Sequence, residues 1–397
     1  MNDAPLDARF ARVGRFALIV GAAGLALTLL GAFLAPRQAA FSYLFAFLFW
    51  VGLPLGSLCV LMLHYLTGGG WGYTIRRFLE GSIGTLPLLA LLFVPVLFGL
   101  KGLYPWMNPA VVAQDEVLQK VHGYLNLPVY LGRMAAFFAL WIGAAWYLNR
   151  QGAAQDQIED PAPTRRIRTF CGPAMVGFVL TVSLATVDWT MVLERNWYST
   201  VYPAQVIIGM ILVTFAFCTV MLGWSVGPAP FRRERSPVGG IVKVEHFHSL
   251  GNFQLAFVMM WAYLTVSQLI IIWSGNKPVE ISWYLHRTAG AWRYVAIALG
   301  LFYFALPFFL LLSREHKQSV RFLCGVAGLI IAAHALEIWW QVTPSLHQTG
   351  FSASWLDATA FAGVGGIWVA AFLARLKTHR SVPRHDPRME EALAHGH

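Results

Sequence analysis

The sequence predicts an all-α polytopic membrane protein, and its composition and its long apolar runs are the two observations that predict it. Of the 397 residues, 57% are hydrophobic and 12% are charged, whereas an average soluble domain carries roughly 25% charged residues. Runs of about 20 apolar residues, enough to cross roughly 30 Å of hydrocarbon, recur along most of the chain. The composition therefore excludes a soluble enzyme.

About ten transmembrane helices are predicted by marking the apolar runs between turn and charge signals. Lys and Arg exceed Asp and Glu, 29 to 19. Because these basic residues lie in the joints between apolar runs, membrane topology explains them better than nucleic-acid binding does. The predicted spans lie near residues 16–34, 42–66, 80–100, 127–148, 170–190, 204–224, 248–273, 293–312, 322–340 and 357–374.

The orientation follows from the uneven distribution of positive charge. Of the 29 Lys and Arg residues, 21 lie in joints on the side of the N-terminus and six on the other side, while Arg133 and Arg293 lie at the starts of spans four and eight. Cytoplasmic joints carry the excess of Lys and Arg in membrane proteins. We therefore expect both termini in the cytoplasm, a multi-pass location in a bacterial inner membrane, and a flexible tail from Thr378 to His397.

An internal repeat is predicted in the middle of the chain. Spans two to five and spans six to nine align as two four-helix bundles of the same orientation, with spans one and ten as peripheral additions. Polar positions correspond in this alignment, namely Glu80 with Glu245, Arg133 with Arg293, and Asp188 with Glu337. The predicted units are a tail and first helix (1–40), a first bundle (41–200), a second bundle (201–345), and a last helix with tail (346–397).

Several ionisable residues fall in the outer halves of the predicted spans, where each costs roughly 3 kcal/mol unless it faces a partner or a cavity. Asp188 lies near the outer end of span five, and His334 and Glu337 share one face of span nine. Arg133 and Arg293 begin their spans from the same side. We expect these five residues to form an outer polar cluster, as quinol contacts or proton relays, although both arginines could instead snorkel to lipid headgroups.

A second group lies towards the cytoplasm. His64 ends span two, Glu80 begins span three, and Glu245 and His248 begin span seven on a shared face. Together with the outer cluster, these residues suggest two proton half-channels separated by an apolar barrier. The competing interpretation for Glu80 is an ordinary salt bridge to Arg76, four residues earlier on the same helix.

The cysteines give no sign of a redox centre. Cys59, Cys171, Cys218 and Cys324 occur singly, without C-x-x-C or ferredoxin-type spacing. We therefore expect no iron–sulfur cluster, no other metal and no disulfide in this chain.

Two stretches resemble a known family. DWTMVLERNWYST at 188–200 and LAFVMMWAYLTVSQ at 255–268, followed by IWSGN at 272–276 and WYLHR at 283–287, are similar to the quinol-binding membrane subunits of alternative complex III, which belong to the NrfD/PsrC-like family. The sequence looks most like the second of the two quinol-binding subunits in that complex. The resemblance covers the eight central helices.

The resemblance implies a role in quinol:electron-acceptor oxidoreduction. It implies two four-helix bundles and a quinol site near the outer face, with no redox centre in this chain. Electrons would pass to iron–sulfur and c-type haem subunits and on to cytochrome c or a similar carrier. It also implies a second NrfD-like subunit and lipid as partners. Catalysis would belong to the assembly, so no catalytic residue is assigned to this chain alone.

Three other classes compete with this interpretation. A b-type cytochrome is disfavoured because no span carries the pair of well-separated histidines that its haems require. A secondary transporter would have broken helices in corresponding spans, but Pro87 and Pro95 interrupt span three while span seven has no proline. A structural anchor subunit stays open, and it predicts that neutral replacements of Asp188 and Glu337 are tolerated.

Overall fold

The structure is a computed structural model that describes residues 4–194, 197–226, 242–347 and 350–378. Every regular element in these ranges is a helix. The helices are α1 (Ala4–Leu34), α2 (Pro36–Thr67), α3 (Gly70–Ile83), α4 (Leu86–Leu92), α5 (Val94–Leu103), α6 (Pro109–Gln114), α7 (Glu116–Lys120), α8 (Leu127–Gln155), α9 (Ala162–Trp189), α10 (Tyr202–Val226), α11 (Val244–Gly275), α12 (Pro278–Thr288), α13 (Trp292–Leu299), a π-helical turn (Gly300–Ala305), α14 (Leu306–Leu312), α15 (Arg314–Gln318), α16 (Val320–Val342) and α17 (Trp355–Thr378).

Within the described ranges, nine helical segments are long and apolar enough to cross a membrane, or ten if one bent pair counts as a single span. The all-helical, polytopic class predicted from the sequence is therefore confirmed to this extent. The bent pair joins Gly70–Leu92 to Val94–Leu103 at 52°. Pro87 and Pro95 flank this bend, and proline lacks the N–H that a continuous helix needs. In contrast, α11 runs without interruption.

Two helices form the centre of the molecule. Along its most apolar stretch, α2 buries 94% of its residues and α10 buries 72%. The corresponding stretches of α8, α9 and α11 each bury 28% of their residues. α2 packs directly on α10. Gly56 permits this approach, because a Cβ there would clash with Met210 O and Thr214 Oγ1. These two helices begin the two units of the predicted repeat.

The first and last spans pack on each other through glycines. A Cβ on Gly24 would lie 2.7 Å from Gly363 N, so only glycine permits this approach of α1 to α17. α17 also contributes to the core, since Trp368 is fully buried and its Nε1 donates to Thr85 Oγ1 at 2.9 Å. The last span therefore joins the first span to the centre of the molecule.

The connections gather at two ends of the helices. One end, called the outer end after the predicted orientation, carries residues 104–126, 190–194, 197–201, 276–291, 343–347 and 350–354. Contacts such as Tyr104 Oη donating to Trp189 O, 3.0 Å, and Trp292 Nε1 donating to Gly350 O, 3.1 Å, join these segments. The opposite end is called the inner end. The structure does not describe residues 227–241 and 379–397, which carry part of the positive charge used to predict the orientation. The second of these ranges is the tail predicted to be flexible, apart from Thr378.

Candidate functional site

The outer half of α16 carries His334 and Glu337, three residues apart and both buried. The two residues are predicted to share a helix face, and their side chains are in direct contact, with His334 Nδ1 3.0 Å from Glu337 Oε2. The hydroxyl of the fully buried Tyr303 lies 2.9 Å from the same Nδ1. Tyr303, His334 and Glu337 are called the Glu337 trio below.

Neutral donors hold the other oxygen of the Glu337 carboxylate. Trp261 Nε1 donates to Oε1 at 2.7 Å, Gln341 Nε2 at 3.2 Å, and Gln205 Nε2 at 3.4 Å. Among the described residues, the ion-pair partner of Glu337 is His334, which is charged only when protonated. The carboxylate is therefore oriented by hydrogen bonds without being fixed in the ionised form by an arginine or lysine.

The shared Nδ1 atom makes the trio able to hold different numbers of protons. An imidazole nitrogen offers either one N–H or one lone pair in the ring plane. When Nδ1 carries hydrogen, it can donate to Glu337. When Nδ1 is bare, it can accept from the Tyr303 hydroxyl or from a protonated Glu337. A proton can thus enter or leave the trio without movement of its heavy atoms, which suits groups that act as a general acid or base.

An apolar cavity of about 750 Å³ reaches the trio at Glu337. Its wall comes mainly from α11, the α13–α14 segment and α16, and Glu337 is the one carboxylate among its lining residues. Met259, Tyr263 and Val266 lie on its rim and are about half exposed or more. These exposed side chains of α11 show that the cavity opens at the surface of the helix, so the buried carboxylate can be reached from outside the chain.

A π-helical turn, Gly300–Ala305, positions Tyr303. A π turn inserts an extra residue into a helix and occurs frequently at functional sites. Gly300 and Phe304 of this turn line the cavity, while Tyr303 packs on Trp261 with ring centroids 4.5 Å apart. One turn therefore shapes the cavity wall and places a hydroxyl on His334.

Arg287 on α12 fixes the outer end of this region. It is fully buried and lies 4.1 Å from the ring centroid of Trp283. Its Nη2 donates to Gln341 O at 2.6 Å and to Ser345 Oγ at 2.9 Å, and its Nη1 donates to Glu194 Oε1 at 3.2 Å. Burial lowers the pKa of Arg287, and Glu194 opposes this shift. Arg287 thus ties α12 to the end of α16.

Asp188 and Arg133 form a separate pair in the first half of the chain. Arg133 Nη2 donates to Asp188 Oδ1 at 2.7 Å and Nε to Oδ2 at 3.0 Å. The guanidinium lies 3.6 Å from the ring centroid of Tyr124, and burial together with Asp188 raises the pKa of Tyr124 to about 12. This two-point contact neutralises a fully buried carboxylate, so the geometry favours a structural role for Asp188.

Arg293 does not join the predicted outer cluster. Its side chain is exposed, and its hydrogen-bond partner is the neighbouring Tyr294 hydroxyl at 3.3 Å. Arg293 is the second residue of α13 and lies on the surface, whereas Arg287 occupies the buried position behind Gln341. The two arginines of the predicted repeat thus differ in their contacts, because Arg133 pairs with Asp188 while Arg293 makes no ion pair with Glu337.

The inner group also divides. Glu80 is buried between Arg76 and Arg77, with Arg76 Nε donating to Oε1 at 2.7 Å and Arg77 Nη1 to Oε2 at 2.6 Å. Arg77 Nη2 donates to Asp156 Oδ2 at 2.5 Å. Gly152 of α8 packs directly on this cluster, since a Cβ there would lie 2.9 Å from Glu80 Oε1. The predicted salt bridge between Arg76 and Glu80 is present.

The other inner candidates differ in their exposure. His64 is buried beneath Trp71, with ring centroids 5.3 Å apart. Glu245 is exposed at the start of α11, and His248 is partly exposed one turn later. His246, which lies on a different face of the helix, is buried, and its Nδ1 accepts from Lys243 N at 2.9 Å.

The sequence alone does not identify several residues of the site. Tyr303, Gln205 and Gln341 lie within or beside apolar runs and carry no charge, so the sequence does not distinguish them from core residues. Trp261 is marked by the resemblance of the stretch at 255–268 and by nothing else. Arg287 falls in a predicted loop, and the signal available for it is the resemblance of the stretch at 283–287.

No protein-family description and no curated protein matches this chain. Within the described ranges, no group of three or more His, Cys, Asp or Glu side chains is arranged to hold a metal ion.

Proposed function

We propose that this chain is a membrane subunit of a quinol:electron-acceptor oxidoreductase, in which the Glu337 cavity takes up the quinol ring and the Glu337 trio accepts its protons. The observation that carries this proposal is the contact of an apolar, lipid-accessible cavity with a carboxylate hydrogen-bonded to an imidazole. The residues from 255 to 287 that resemble quinol-binding subunits include Trp261 and Arg287, which hold this region together.

The cavity suits an apolar ring with oxygen substituents. Ligand pockets generally measure about 300–1,000 Å³ and combine apolar walls with a few placed polar groups. Here the polar groups at the cavity wall include the Glu337 carboxylate and the Gln205 amide. A quinol hydroxyl would donate to Glu337, and the lipid-facing rim at Tyr263 and Val266 would leave room for an isoprenoid tail.

Proton release would start at the same carboxylate. Oxidation of one quinol to quinone removes two electrons and two protons, so both protons need an acceptor within hydrogen-bond reach. Glu337 would take the first proton and pass it to His334 across their 3.0 Å contact. The Glu337 carboxylate, free again, would then take the second proton. The two electrons would go to the iron–sulfur and c-type haem subunits of the assembly, because this chain is proposed to have no redox centre.

The context of the chain belongs to the same proposal. A bacterial inner-membrane location, a second NrfD-like subunit, an iron–sulfur subunit, c-type cytochrome subunits and bound lipid would complete the complex. The alternative is a structural anchor subunit without quinol chemistry. Such a subunit would have no need for a cavity that reaches a buried carboxylate, so the cavity favours the quinol site.

Binding of quinol can be tested apart from turnover. Ala296→Phe would fill the cavity, because Ala296 lines it, whereas Ala139→Phe adds the same bulk on the exposed face of α8. A photoreactive quinone should label the α11–α16 region in the unchanged chain and in Ala139→Phe, and the labelling should fall strongly in Ala296→Phe. Equal labelling of all three chains would contradict the proposed site.

A further inference from the structure

A second cavity, separate from the Glu337 trio, lies at the outer end between the 104–125 connection and the end of α9. It measures about 620 Å³. Its walls are mostly apolar, with Val117, Val121, Val187 and Val192 among the lining residues. Val117 and Val121 are partly exposed, so the cavity continues to the outer surface of the protein.

Two buried indole groups line this cavity with their donors unused. The side chains of Trp106 and Trp197 are 6% and 3% exposed. Neither Nε1 has a hydrogen-bond partner among the described residues. A buried N–H without an acceptor costs about 1–3 kcal/mol. Two such groups around one cavity indicate a ligand that supplies acceptor oxygens.

The charges at the cavity favour an anionic ligand. Lys120 is exposed on its wall. Glu194 also lines the cavity, but its Oε1 accepts from Arg287 at 3.2 Å and from Ser345 at 3.0 Å. Glu194 is thus neutralised from the side of α12, whereas no carboxylate in the described part of the chain forms an ion pair with Lys120. The ammonium group of Lys120 is therefore available to a phosphate.

We propose that this cavity binds a phospholipid of the outer leaflet, with its ester carbonyls on Trp106 and Trp197 and its phosphate on Lys120. Indole N–H groups occur typically at the depth of lipid headgroups, where one end of the side chain is apolar and the other polar. The apolar walls would hold the first part of an acyl chain. The neighbouring α8 exposes Val129 and Leu131, along which the chain would continue into the bilayer.

The proposal can be tested by adding phosphatidylglycerol to the delipidated full-length chain in detergent and counting bound lipids by native mass spectrometry. Trp106→Phe and Trp197→Phe remove the N–H groups and keep aromatic bulk. Together they should weaken binding of the tightest lipid about tenfold, and Lys120→Gln should weaken it severalfold. Trp146→Phe, on the exposed face of α8, should leave it unchanged.

Three outcomes would overturn the proposal. Equal affinity in the Trp106→Phe/Trp197→Phe and Trp146→Phe chains would exclude the indoles as ligands. Displacement of the lipid by a soluble benzoquinone, with the same dependence on both indoles, would assign the cavity to a quinone. If circular dichroism shows that the double variant does not fold, Lys120→Gln, at an exposed position, decides the matter, and unchanged lipid affinity in Lys120→Gln would overturn the proposal.

Discussion

Gly209 of α10 packs so closely on His334 of α16 that a Cβ on Gly209 would lie 2.9 Å from the imidazole Cε1. Real Cβ atoms do not approach another heavy atom so closely, so a methyl group here would displace the ring. The position of His334 therefore depends on a residue that takes no part in proton exchange.

Gly209→Ala should lower quinol turnover about tenfold or more, because small misplacements of a reacting group are costly. The replacement leaves all three groups of the Glu337 trio chemically intact. Turnover per assembled complex is the measurement. Gly132→Ala is the matched control, since nothing lies within 4 Å of a Cβ at this position on α8, and it should behave as the unchanged protein. Full turnover in Gly209→Ala would mean that the position of His334 is not critical.

Tyr303→Phe should separate catalysis from binding. The hydroxyl contacts His334 at 2.9 Å, but Tyr303 is not among the residues that line the cavity. We expect kcat for quinol oxidation to fall roughly tenfold, in line with the loss of one acid–base partner, while KM changes little. A rise in KM with unchanged kcat would place Tyr303 in substrate binding instead.

The Arg133–Asp188 pair should act through stability. Removal of one partner from a buried ion pair costs about 3–5 kcal/mol, because the other charge stays buried without compensation. Arg133→Gln and Asp188→Asn should each lower the unfolding temperature in detergent, and the double variant should lose less than the sum of the two. Complexes that still assemble with Asp188→Asn should retain their quinol turnover. An additive double variant would show that the pair is not coupled.

Lys317 at the inner end gives a prediction about pH. It is buried, and its Nζ donates to the neutral Asn252 Oδ1 at 2.7 Å. Burial lowers the pKa of Lys317, so the folded protein binds this proton less tightly than the unfolded chain does. The free energy of unfolding should therefore rise with pH between the lowered pKa and the ordinary value near 10.5.

Lys317→Met should abolish that part of the pH dependence and should be neutral or stabilising at pH 7, because it removes a buried charge and keeps a flexible apolar side chain. Thermal unfolding between neutral and alkaline pH measures both effects. Lys101→Met, at an exposed position on α5, is the control and should leave the slope with pH unchanged. A destabilised Lys317→Met at pH 7 would show that the charge itself is needed.

The fold class could be predicted because apolar length and proline position act locally. The break at Pro87 and Pro95 is present as the 52° bend, and the i, i+3 spacing of His334 and Glu337 corresponds to a contact. Both properties depend on one helix alone.

The make-up of the site could not be predicted, because it depends on which helices meet. Tyr303 and Trp261 come from two other segments and are directed to α16 by a π turn and by helix packing. Sequence order also does not reveal that Arg287 of α12 reaches Gln341 O at the end of α16, whereas Arg293 lies exposed on α13. The contacts of Asp357 on α17 could not be predicted from the sequence either. Its hydrogen-bond partners Ser42 and Trp339 lie on two other helices, α2 and α16.

The most direct test of the central claim compares two acid-to-amide variants of the intact complex, Glu337→Gln and Glu245→Gln. Glu337 lines the cavity within the trio, whereas Glu245 is exposed at the start of α11. We expect Glu337→Gln to lose most of its quinol-dependent acceptor reduction at unchanged assembly, and Glu245→Gln to retain it. Equal turnover of both variants with the unchanged complex would contradict a quinol site at Glu337 and would leave the chain as a structural anchor.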